Sequence, residues 1–258
     1  MCYAYKPVYG HDGTVYKVPH REFKLMVQDG RIETQPDGYH YAKATVGVLA
    51  HRGGDITAVP MRWDLIPKDF LKNENLTLAE VIKKKNSRAK NPATGKAWGF
   101  SSFNARVETV GELWSFRRPW NTGLRCVVPV ASFKERPNMD DAPKEFQGKE
   151  YEILLDRTYY LGGIHDLWES KAGEKIESCT VITTTSQGHS LLESIWHERI
   201  PVILTEGQVE QWLDPKVGPA QAMQMCLQLD PAKMRAILQE KKASPPSPSL
   251  FDHAPEAG

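Results

Sequence analysis

Arg125-Cys126-Val127-Val128-Pro129-Val130-Ala131-Ser132-Phe133-Lys134-Glu135 is an apolar, β-branched run that closes on two charged residues. Residues 126–133 read as a strand from that composition. Similar runs at 44–50, 56–62, 151–155, 159–164, 179–184 and 200–204 read as further strands. Helical patterns are fewer, at 78–85, 190–196, 206–213, 221–229 and 231–241, the last with Asp230 as N-cap ahead of Pro231 at the first helical position. Strands dominate the centre and helices the periphery and C-terminal third. That order predicts a β-rich α+β domain, not alternating βαβ units.

The chain has 258 residues, 40% of them hydrophobic, enough for one large core or two small ones. No apolar run approaches the ~18 residues of a membrane span, and the N-terminus lacks the basic-then-apolar pattern of a secretion signal. A cytoplasmic location without membrane contact is expected. Cys2, Cys126, Cys179 and Cys226 are widely spaced with no CxxC pair, which argues against a zinc site or a disulfide framework. The last three are expected to be buried apolar thiols. Residues 243–258, rich in Ser, Pro and Ala, read as a disordered tail.

Cys2 directly follows the initiator methionine, and removal of Met1 leaves an amine and a thiol on adjacent carbons. Such a 1,2-aminothiol captures aldehydes: the amine forms an imine and the thiol closes a five-membered thiazolidine. At neutral pH both groups are mostly protonated, so a site must supply a base or acid, an orienting amide and, for an anionic substrate, cations. Three segments carry polar residues that a core does not require. They are 103–109 (Phe-Asn-Ala-Arg-Val-Glu-Thr), the strand ending at Glu135, and 196–204, where His197 precedes an arginine and a prolyl strand.

The net charge of +1 does not announce a nucleic-acid partner, but its distribution is uneven. Between residues 81 and 107 stand Lys83, Lys84, Lys85, Arg88, Lys90, Lys96 and Arg106 with no acidic residue, and Trp98, Phe100, Phe103, Trp114, Phe116 and Trp120 lie in or near that stretch. Cations interleaved with aromatics suit unpaired bases; the same stretch also reads as a solvated helix face followed by core aromatics.

Taken together and in order, these segments resemble the SOS-response-associated peptidase (SRAP) family, whose members crosslink themselves to abasic sites in single-stranded DNA. An N-terminal Met-Cys is followed by Arg62-Trp63-Asp64-Leu65-Ile66-Pro67, similar to RWGLIP. Residues 104–109 resemble NARAET, residues 125–129 RCLIP, Phe133-Lys134-Glu135 FYE, residues 164–169 AGLWE, and residues 197–201 HDRMP, with Trp212-Leu213 completing the order. The resemblance implies a single domain over residues 1–242 with a central twisted antiparallel, barrel-like sheet and peripheral helices. It further implies that Cys2 is the crosslinking nucleophile, Asn104 holds its amine, Glu135 moves protons near the imine, and His197 assists opening of the sugar ring.

Arg106 is then expected on phosphate, with Trp63, Pro67, Lys83, Lys84, Lys85 and Arg88 completing a DNA-binding surface. No metal or organic cofactor is implied. The expected partner is single-stranded DNA containing abasic sites, and the expected state is a nucleoid-associated monomer. Family-type self-processing peptidase activity and a minor lyase branch follow from the same resemblance.

The chain departs from the family pattern at Tyr3 and Ala4 in place of Gly-Arg, at Asp64 in place of glycine and at Arg136 in place of tryptophan. Two other readings start from the same residues: an N-terminal-nucleophile cysteine amidohydrolase with Asn104 as oxyanion donor, and a non-catalytic nucleic-acid module in which Cys2 is incidental.

Overall fold

Of the eleven residues Arg125–Glu135, every one except Ala131 is buried, and all lie in one strand. A computed structural model describes residues 2–8, 14–87 and 100–239. The described elements, in chain order, begin with β1 (Ala4–Pro7), β2 (Thr14–Val15), β3 (Val18–Pro19), α1 (His20–Gln28), β4 (His40–Tyr41), β5 (Thr45–Arg52), β6 (Asp55–Trp63), α2 (Leu78–Asn86) and β7 (Asn104–Arg106). They continue with α3 (Arg117–Asn121), β8 (Arg125–Glu135), β9 (Tyr151–Glu169), β10 (Lys175–Thr185), α4 (Ser190–Ser194), β11 (Arg199–Pro201), β12 (Ile203–Leu204), α5 (Glu206–Leu213), α6 (Pro219–Gln224) and β13 (Met234–Leu238).

Five strands close on themselves: β5 pairs with β6, β6 with β10, β10 with β9, β9 with β8, and β8 with β5. The β5–β6 hairpin turns on Gly53 and Gly54, both at positive φ, the two-residue geometry that matches strand twist. Strand alternation splits the core in two. Val46, Val48 and Ala50, Met61 and Trp63, Cys126, Val128 and Val130, Leu161, and Cys179 and Val181 belong to one cluster drawn from all five strands, which fills the barrel. Leu49, Val127, Ile164 and Ile182 point outward and pack under Phe23 and Met26 of α1, Trp120 of α3, and Val209 and Trp212 of α5. Where the wall is tightest only glycine fits, since a Cβ on Gly163 would lie 2.6 Å from the Thr180 carbonyl oxygen.

The β-rich α+β reading holds, and the sheet is barrel-like. Its antiparallel character is incomplete, because β10 runs parallel to both β6 and β7. The expected strands at 151–155 and 159–164 are one long strand whose middle, Asp156-Arg157-Thr158, is exposed. The expected helix at 231–241 is a correction. Asp230 does cap, accepting from the Ala232 N–H at 2.9 Å, but the turn it starts ends at Lys233 and residues 234–238 become β13 on β9. The free edge of β9 at 151–155 offers a full ladder of backbone partners, which outweighs the helix preference of Met-Arg-Ala-Ile-Leu. The expected helix at 221–229 is shorter, Pro219–Gln224. Residues 243–258 lie outside the described residues.

Helix α2 starts as its sequence demands: Thr77 Oγ1 accepts from the Glu80 N–H at 3.3 Å while Glu80 accepts from the Thr77 N–H at 2.8 Å. Its Lys85 points inward. The Lys85 ammonium lies 2.6 Å from Asp64 Oδ1, both side chains essentially inaccessible, and the same oxygen accepts from the N–H and hydroxyl of Ser102. Burial pulls the Lys85 ammonium down to about 8, with Asp64 opposing the shift. The pair pins α2 to the end of β6. Replacing one member strands the other charge in the core, so Lys85→Met is expected to cost about 3–5 kcal/mol in urea unfolding, and Asp64→Asn with Lys85→Met to recover most of it.

Two histidines set the acid limit. Burial lowers His40 to about 4; burial, with Arg52 and Arg118 nearby, lowers His165 to about 3. Arg52 Nη1 lies 3.4 Å from His165 Nε2 and can only donate, so that nitrogen is an acceptor and the ring is neutral. Between about pH 6.5 and 4 the unfolded chain takes up protons that the fold refuses, so stability falls as pH drops through that window. Thermal melts from pH 7 to 4.5 should show a declining Tm, and His165→Gln should flatten the decline.

Candidate active site

Strand β1 lies antiparallel to β8 with Ala4 opposite Lys134 and Tyr5 opposite Phe133, and this register carries Cys2 alongside the end of β8 at Glu135. Cys2 is fully buried among the residues that fill the barrel. Strand β7 enters from the other side, with Asn104 level with Val181 of β10. Asn104 Nδ2 donates to the Cys2 carbonyl oxygen at 2.7 Å. The sequence reading put Asn104 on the amine; the contact formed is to the carbonyl of the same residue. Asn104 Oδ1 is buried and has no hydrogen-bond partner among the described residues.

His197 follows α4 through a tight turn in which Trp196 takes the left-handed conformation, φ 57°, a conformation for which tryptophan has no preference. Asn138 and Met139 donate their N–H groups to the Trp196 carbonyl, and Ser186 Oγ donates to the His197 carbonyl at 2.6 Å. The imidazole is thereby fixed between two acceptors. Its Nδ1 lies 2.7 Å from the Arg136 carbonyl oxygen, which can only accept, so Nδ1 carries a proton. Its Nε2 lies 3.1 Å from Glu135 Oε2, and neither side chain is exposed to solvent. At that distance the imidazole and the carboxyl group are placed to pass a proton between them.

The Cys2 thiol feels this pair. Burial pushes its pKa well up and the nearby Glu135 carboxylate adds to the shift, so near neutral pH the sulfur keeps its proton. Arg199 ties the elements together, gripping Glu108 with two contacts of 2.8 Å and the Thr183 carbonyl at 2.7 Å. That fork joins the chain beyond Asn104 to the chain beyond His197.

The four expected catalytic residues therefore converge, while the expected DNA surface divides. Arg106 is half exposed, close to Asn104 in the chain, and paired with Glu198 at 3.4 Å. Lys83 is exposed on α2, and Lys84 is paired with Glu74. Arg88, Lys90, Lys96 and Trp98 lie outside the described residues. Trp63, Pro67 and Lys85 are buried, which corrects their assignment to a binding surface. Trp63 instead supports the site from beneath: its Nε1–H donates to the Phe103 carbonyl at 2.8 Å, and its ring meets Tyr5 edge-on at 5.3 Å. Lys85 is claimed by Asp64, a partner that the family's glycine would not provide.

Tyr3, a departure from the family pattern that could narrow the pocket or stack on a base, lies beside Arg136, another such departure. Arg136 stacks on the Tyr3 ring, 4.6 Å from its centroid, and both side chains bond to Glu150.

Residues 17–242 match the family described as SOS response associated peptidase (SRAP). The chain is 35% identical over 130 residues to the abasic site processing protein YoqW of Bacillus subtilis, covering 50% of this chain and 55% of that one. It is 27% identical over 202 residues to the mouse abasic site processing protein HMCES, covering 68% and 50%. The chain thus spans about half the length of the curated relatives it matches. A protein from Bacteroides thetaiotaomicron solved by X-ray crystallography superposes with a TM-score of 0.64 at 21% identity over 98% of this chain and 100% of that one. A protein from Bordetella bronchiseptica gives 0.63 at 18% identity, over 93% and 100%. With its family match running from Lys17 through most of the chain, this protein belongs to the SOS response associated peptidase (SRAP) family.

Proposed function

We propose that this protein captures abasic sites in single-stranded DNA by a covalent bond through Cys2 once Met1 has been removed, and so shields the lesion. The observation that carries the reading is the convergence of Cys2, Asn104, Glu135 and His197 from four separate segments. That relatives bear the name abasic site processing protein supports it. Removing Met1 frees an amine on the residue whose carbonyl Asn104 already holds. The unpartnered Asn104 Oδ1 is suited to accept from that amine.

The chemistry then follows from the proton positions. An abasic deoxyribose is mostly a closed hemiacetal, and His197 with Glu135 supplies the acid and base that open it. The Cys2 nitrogen attacks the aldehyde carbon, a proton passes to the leaving hydroxyl, and water departs to leave an imine. The sulfur adds in the remaining step, to the imine carbon. As sulfur closes on the imine carbon its proton passes to the carboxylate side of the pair and the nitrogen regains one, giving the thiazolidine. Elimination of the 3′ phosphate from the imine is a side branch that ring closure suppresses. The same thiol acting on a preceding peptide bond is the family-type peptidase step.

Arg106 is assigned to phosphate, its contact to Glu198 being of a kind worth little at the surface. Exposed Lys83 extends the surface. We place residues 1–242 in one catalytic and DNA-binding unit, acting as a monomer at the nucleoid in the cytoplasm. The amidohydrolase alternative fares worse, since the Asn104 Nδ2 that an oxyanion hole needs is already given to the Cys2 carbonyl.

Intact-mass spectrometry after mixing with a single-stranded oligonucleotide carrying one abasic site should show a heat-stable adduct equal to demethionylated protein plus oligonucleotide less one water. Cys2→Ala should give none; an adduct in that variant refutes the assignment. Glu135→Gln removes the negative charge that raises the thiol, so the Cys2-dependent step in a thiolate absorbance titration should move to lower pH. The same variant should form the adduct about 100-fold more slowly. An unmoved titration would separate Glu135 from the sulfur.

A further inference from the structure

Beyond Tyr3 the surface opens into a concavity of about 880 Å³ lined by Lys6, Tyr39, Lys134, Arg136, Glu150, Gln239 and their neighbours. Arg136 stands where this concavity meets the catalytic residues. Its carbonyl oxygen accepts from His197, it follows Glu135 in the chain, and its guanidinium lies on the ring of Tyr3, the residue after Cys2. One carboxylate oxygen of Glu150 takes the Arg136 Nε–H at 3.2 Å and Nη2–H at 2.7 Å, while Lys134 binds the other oxygen at 3.1 Å. The Tyr3 hydroxyl also donates to Glu150. A long, flexible side chain is thus clamped as a flat plate: one face on tyrosine, one edge on a carboxylate, and 60% of its surface still open.

Charge does not make this plate a phosphate site. Glu150 neutralises it locally, and across the concavity Lys6, Lys134 and Arg136 are balanced by Asp37, Glu150 and Glu152. What remains is a rigid planar π-surface, and a guanidinium backed by an aromatic ring is a stacking partner for a flat, uncharged heterocycle. Tyr3 follows Cys2 in the chain and carries Arg136 on its ring, so a nucleotide flanking a sugar held at Cys2 lies within reach of that plate. We infer that the exposed face of Arg136 is a stacking platform for the nucleobase flanking the abasic sugar. The inference rests on the proposed capture of abasic DNA at Cys2 and adds to it a dependence on the neighbouring base.

The test compares single-stranded oligonucleotides with one abasic site whose 5′ or 3′ neighbour is either adenine or a tetrahydrofuran spacer lacking a base, the adduct rate being read at subsaturating protein. For the wild type the adenine-to-spacer ratio should be about fivefold or more on one side. Arg136→Ala should bring that ratio close to one. Arg136→Lys, which keeps the charge and loses the plane, should do the same. Because each variant is its own reference, a general loss of folding or rate cancels in the ratio. A wild-type ratio of one on both sides, or a wild-type ratio retained by Arg136→Lys, overturns the platform while capture at Cys2 stands. Absence of any adduct with wild-type protein overturns both.

Discussion

Two segments about 130 residues apart in the chain, Ala4–Pro7 and Arg125–Glu135, lie side by side with Ala4 opposite Lys134, and the position of Cys2 follows from that register. The alternation of a strand makes the placement unforgiving. Tyr5 and Phe133 turn into the core, Lys6 and Lys134 turn toward the outer concavity, and a slip of one residue would exchange the two sets. Burial of Tyr5 against Trp63 and His40 resists such a slip. The same contacts that fill the barrel therefore hold Cys2 near Glu135. Packing and chemistry are not separable here.

Buried positions are costly places for polar groups, and the chain meets much of that cost by pairing them. His197 is held between the Arg136 carbonyl and Glu135, Arg199 by Glu108 and Thr183, and Lys85 by Asp64 and the Phe100 carbonyl. The low dielectric that makes these pairs necessary also strengthens the effect of the Glu135 carboxylate on the Cys2 thiol. Asp64, which occupies the place of a glycine in the family pattern, is the counterion that lets Lys85 turn away from solvent.

The resemblance to a family grouped Cys2, Asn104, Glu135 and His197, while the sequence alone settled residue types and their order: strands at 126–133, 44–50, 56–62 and 179–184, and the helix at 78–85. Those features are local, written in side-chain period, turn chemistry and motif spacing. Tertiary structure decided the parallel pairing of β10 with β6 and β7, the conversion of residues 234–238 from a helical pattern to an edge strand, and the burial of Trp63, Pro67 and Lys85. It also decided that Asn104 holds the Cys2 carbonyl, that Trp196 adopts the left-handed turn, and that Tyr3 and Arg136 share Glu150. Each of these depends on what a segment meets across the ring. A helical pattern yields to a free strand edge, and a lysine is a surface charge or a buried anchor according to whether a carboxylate waits inside, which no stretch of sequence read by itself contains.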